Sequence, residues 1–128
     1  MNAVQKKQLA LLKTRHEFLV AIVRISLNAL ERGHSLEEAL REFYAPQAIS
    51  LAQHETSLRY WCSVVAGGMG LQSGVDRLRG RELVLAASEL AAKAANYIMA
   101  TQFEAESSAL EGYGAKRFLR ERARAHAV

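Results

Sequence analysis

The chain has one proline, one cysteine and few aromatic residues, 7% of 128. A lone Cys62 excludes an intrachain disulfide framework and fits a reducing compartment. A lone Pro46 leaves little to interrupt a helix. No alternation of apolar and polar residues survives beyond a few positions, which excludes a framework of strands. Charged residues make up only 23% and hydrophobic ones 50%, so composition argues against disorder. The longest uncharged stretch, 60–75, has sixteen residues, four of them glycine. A spanning helix needs about 20 apolar residues, so no transmembrane segment is expected. The start of the chain breaks its apolar pattern with Lys13, Arg15, His16 and Glu17, unlike a secretory leader. The expectation is a soluble, cytoplasmic protein of one domain.

What is present is alanine and leucine at helical spacing. A first helix is expected over 3–32, ended by Gly33 in the left-handed region. Leu12, Leu19, Val23 and Leu30 form its stripe, with Leu11, Phe18, Ile22, Ile25 and Ala29 beside it. Ser35 and Glu38 form a capping box that opens a short helix over 36–44, stopped by Ala45-Pro46. Pro46 suits the first turn of a third helix, whose apolar side holds Ile49, Leu51, Leu58, Trp61, Val64 and Val65. Gly67, Gly68, Gly70 and Gly74 read as a turn. Continued helix would instead align Cys62, Ala66, Gly70 and Gly74, but each glycine costs a helix about 1 kcal/mol. A fourth helix is expected over 81–111, burying Leu83, Ala87, Leu90, Ala94, Tyr97 and Ile98. Gly112-Tyr113-Gly114 breaks it before a basic tail.

The expected fold is therefore all-α: an elongated bundle of about four helices, two long and two shorter, plus a short basic C-terminal helix. The bundle spans 1–111 and the tail 112–128. A thirty-residue helix is about 45 Å long, against a radius of gyration of about 14 Å for a compact chain of this size, hence the elongation.

Residues 18–30 carry only three polar side chains, Arg24, Ser26 and Asn28, in thirteen positions. Val20 and Leu27 fall opposite the main stripe. Large apolar faces are rarely left in water, so self-association, most simply as a dimer, is expected. The expected interface is Phe18, Val20, Ile22, Val23, Ile25 and Leu27.

Charge is uneven. Residues 1–32 and 112–128 each carry net +4, while 33–75 carry −2 and 83–111 carry −3. In the tail, Lys116, Arg117, Arg120, Arg122 and Arg124 could meet nucleic-acid phosphates or another anionic partner. A helix-turn-helix is disfavoured by Pro46 in the turn and by the absence of Lys or Arg from 47–58. Arg77, Arg79 and Arg81 offer an anion or a partner's carboxylates a cationic loop.

Catalytic chemistry finds no footing. The glycines lack the Lys-Ser/Thr of a phosphate loop and the preceding strand of a dinucleotide fold. Glu31 and His34 have di-iron spacing, but no second such pair exists and Gly33 separates them. Cys62 beside Trp61 reads as a buried apolar residue. No catalytic, cofactor or metal residue is assigned. The expected function is a non-enzymatic helical interaction module, an adaptor, chaperone or assembly subunit; the alternative is a nucleic-acid-binding accessory protein.

Overall fold

A computed structural model describes residues 1–33, 35–38, 41 and 50–112, with side chains through 107. It is an all-α bundle, and no strand occurs among the described residues. Helix α1 spans Ala3–Glu31, α2 Leu51–Gly68 and α3 Gly80–Gly112. Residues 36–38 and 41 are also helical, within the expected short helix, and the Glu38 amide donates to Ser35 Oγ at 3.2 Å.

The ends follow capping chemistry. Asn2 and Ser50 are extended N-caps whose side chains accept from the amides of Gln5 and Gln53, and both glutamines reach back. The α2 start corrects the expectation that Pro46 lies in its first turn. Ser50 has an extended ψ of 156° and satisfies an otherwise orphaned amide, so the helix opens at Leu51. Gly33 ends α1 at φ +71°, as expected. At the other end of α2, the Leu71 amide donates to Ala66 O at 2.9 Å and the Gly70 amide to Gly67 O at 3.1 Å. With Gly70 at φ +71°, this is a Schellman stop. It overturns the alternative of a helix continuing through Gly74, while Gly67 and Gly68 do remain helical.

Helix α1 packs against both other helices, which also pack against each other, and runs antiparallel to both. Against α2, Leu12 meets Gly68, Phe18 stacks on Trp61, and Ser26 bonds His54. Against α3, His16 Nε2 donates to Ala91 O at 2.9 Å. Helices α2 and α3 are therefore parallel, and residues 69–79 carry the chain back along the bundle. The return runs beside α2 from Gly68 toward Glu55, about 20 Å of helix, within reach of an extended loop of this length. Val75, 1% exposed, pins the loop to the core. Leu19, Leu58 and Leu83, one from each helix, are fully buried at its centre. Truncating such a leucine to alanine costs about 2–5 kcal/mol. Ala87, Ala91 and Ala94 are also buried, so small side chains let α3 approach closely.

This arrangement explains the apolar excess of α1. A helix packed against two neighbours has two covered flanks. Phe18, on one flank, faces α2; His16, on the other, faces α3, with Val20 and Leu27 following it at intervals of four and seven. Both are partly buried against the chain's own core. Val23 is 4% exposed, so as an interface residue it is corrected: it belongs to this molecule's core. Tyr97 is likewise corrected, being 41% exposed. Residues 80–107 are long and apolar enough, at mean hydropathy 1.2, to cross a membrane by length and composition alone; here the same segment supplies buried core residues.

Candidate functional site

Phe18 and Trp61 meet on the seam between α1 and α2. Their rings stack with centroids 4.9 Å apart, and Tyr60 meets the same indole edge-on at 5.3 Å. These are favourable aromatic geometries. The cluster is nonetheless open to solvent: Phe18 is 53% and Tyr60 58% exposed. The α1 side of the seam continues at sevenfold intervals through Val4, Leu11, Phe18 and Ile25. Val4 and Leu11 are exposed, Ile22 and Ile25 half-buried. Of the expected interface residues, the seam therefore gathers Phe18, Ile22 and Ile25. Val20 and Leu27 lie on the α3 flank, and Val23 lies inside.

Beneath this seam sits a polar tie that the sequence reading missed. Ser26 is fully buried, and its hydroxyl donates to Ile22 O at 3.0 Å. His54, 3% exposed, lies with Nε2 2.8 Å from the same oxygen. With the hydroxyl proton on Ile22 O, His54 Nε2–H is the donor to Oγ. Burial holds the His54 imidazole below its ordinary value, opposed by the Glu55 carboxylate. The pair resembles a nucleophile and its base, but zero exposure keeps any substrate from Oγ. Its signal in the sequence was position: Ser26 falls seven residues after Leu19 and three before Ala29, on the stripe itself.

A second polar group fastens the return loop. Glu55 accepts from Arg59 Nη2 at 3.0 Å and from the Gly80 amide at 3.2 Å. Arg59 also donates through Nε and Nη2 to Leu78 O, at 3.2 and 2.7 Å. One wall of the adjoining cleft is formed by Asp76, Arg77 and Arg79; Arg81 does not line it.

Cys62 is fully buried, and burial pushes its thiol up to about 11. No three His, Cys, Asp or Glu side chains among the described residues are grouped to hold a metal ion. His34 and the cationic residues Lys116, Arg117, Arg120, Arg122 and Arg124 lie outside the described residues. Comparison with protein-family models, with curated proteins and with solved structures returns no match.

Proposed function

We propose that this chain is a non-enzymatic, self-associating helical interaction module, an adaptor, chaperone or assembly subunit, that docks through the α1–α2 aromatic seam. The observation that carries the reading is the half-exposed Phe18 ring stacked on Trp61 with Tyr60 at its edge. Phe, Tyr and Trp are enriched where proteins meet, because each removes much apolar surface from water at little entropic cost. Three of the chain's nine aromatic residues are gathered at this one place.

Trp61 is the chain's sole tryptophan, so its fluorescence reports on the seam. Light scattering across a micromolar concentration series tests the proposal. The expected result is a dimer whose formation blue-shifts Trp61 emission. Phe18→Glu and Tyr60→Ser should return it to monomer with helical circular dichroism unchanged. A wild-type chain that stays monomeric throughout, with concentration-independent Trp61 emission, overturns the self-associating part. The alternative, contact with nucleic acid through 116–124, is supported by the charge of that segment in the sequence. It requires binding that weakens steeply with salt and is lost on deleting 116–128.

A further inference from the structure

We infer that the cleft between the first half of α2 and the end of the return loop is a binding site for a phosphate monoester group. It is an open cleft of about 660 Å³ lined by Leu51, Ala52, Glu55, Thr56, Arg59, Asp76, Arg77 and Arg79. The site is separate from the aromatic seam and does not rest on its role.

The charges in the cleft divide into spent and unspent. Glu55 uses one oxygen on Arg59 and the other on the Gly80 amide, so it neutralises Arg59. The side chains of Arg77 and Arg79 make no hydrogen bond or ion pair with any described residue, although both line the cleft. Two guanidiniums therefore line the cleft without a side-chain partner among the described residues, with the Asp76 carboxylate beside them and Glu55 engaged by Arg59 and Gly80. Like charges placed together cost energy unless an anion joins them.

Their placement is built, not incidental. Leu78 stands between them in the chain, and both of its neighbours line the cleft. Leu78 itself packs against the core. Its carbonyl is held twice by Arg59 and its amide donates to Val75 O at 3.0 Å. Val75 is itself buried. The backbone that carries the two arginines is thus tied to α2 and to the core. A carboxylate has two oxygens and is satisfied by one guanidinium fork. Two guanidinium forks lining one cleft match the three terminal oxygens of a phosphate monoester better. The Thr56 hydroxyl on the facing wall adds a donor for the ester or its sugar.

The test is a titration of the full-length, nitrogen-15-labelled chain with inorganic phosphate, and then with a nucleoside monophosphate, followed by amide chemical shifts. Chloride at matched ionic strength is the control. Saturable shifts should appear at 51–56 and 76–80. Both ligands share the phosphate, so tighter binding of the nucleotide would assign the source to a phosphorylated small molecule; equal binding would assign it to phosphate alone. Arg77→Ala and Arg79→Ala together should weaken binding by roughly tenfold or more, given the strength of charge-assisted bonds. Arg77→Lys should recover it in part, since it restores charge without the fork. Asp76→Asn should tighten it several-fold by removing the opposing charge. Shifts that do not saturate, that chloride reproduces, or that survive loss of both arginines overturn the inference. Residues 77 and 79 are exposed, so these variants retain the fold, and unchanged Trp61 emission checks it.

Discussion

Ser26→Ala removes one oxygen from the interior of the bundle. That oxygen accepts the His54 Nε2–H at 2.8 Å and its proton goes to Ile22 O at 3.0 Å. Ile22 O lies in mid-helix and keeps a backbone partner, so its loss is small. His54 is 3% exposed, and its Nε2–H would lose the Ser26 oxygen as acceptor. Burying an unsatisfied donor costs about 1–3 kcal/mol. Alanine is the better helix former by roughly 0.5 kcal/mol, which offsets part of this. The net expectation is about 1–2 kcal/mol of lost stability, or a fall in Tm of about 3–8 °C for a chain of this size. Urea unfolding followed by far-ultraviolet circular dichroism measures it. A double-mutant cycle with His54→Ala then isolates the pair, and a coupling of about 1 kcal/mol or more is expected. If Ser26→Ala is as stable as wild type, or the two substitutions simply add, the tie between α1 and α2 does not work as described.

Because burial lowers the His54 pKa from 6.5, the unfolded chain takes up that proton first. The contribution of His54 is intact above about pH 6.5 and is lost as pH falls through the folded value. Tm should therefore drop as pH falls below about 6.5, and His54→Gln should flatten that drop. Cys62, buried and pushed up to about 11, should resist a thiol reagent in the folded protein at neutral pH and react at once in urea. Gly67 and Gly68 should separate. A Cβ on Gly67 meets nothing within 4 Å, while one on Gly68 lies 2.8 Å from Leu12 Cδ1. Gly67→Ala should stabilise by about 0.4–1 kcal/mol, and Gly68→Ala should gain less or lose, as read by the urea midpoint.

The helices were legible because their signals are local. Gly33 after a long uninterrupted pattern marked the end of α1, and Gly70 within the glycine cluster marked the end of α2. What the sequence could not show was which neighbour covers which side. Val20 and Leu27 looked surplus because a helical wheel shows directions and not partners; α3 lies along that flank. Ser50 and Gln53 carried a capping signal that Pro46 obscured, since both residues mark a helix start and only one was weighed. Ser26 and His54, polar residues 28 positions apart, have no local relationship until the antiparallel register brings them together. Phe18 stood beside the apolar stripe of α1 and Trp61 on the apolar side of α2, where it is half-buried. Their stacking, which places the seam, is a tertiary fact.

The packing of α1 against two later helices has a consequence during synthesis. Its bond to α3 joins residues 75 apart, His16 and Ala91. A ribosome adding about 5–20 residues per second needs roughly 4–15 s to supply that second partner. Throughout that interval the oiliest stretch of the nascent chain has already been made while half of its cover has not. Aggregation on overexpression should thus depend on translation speed and respond to co-expressed holdases, with the damage arising before the first complete molecule leaves the ribosome.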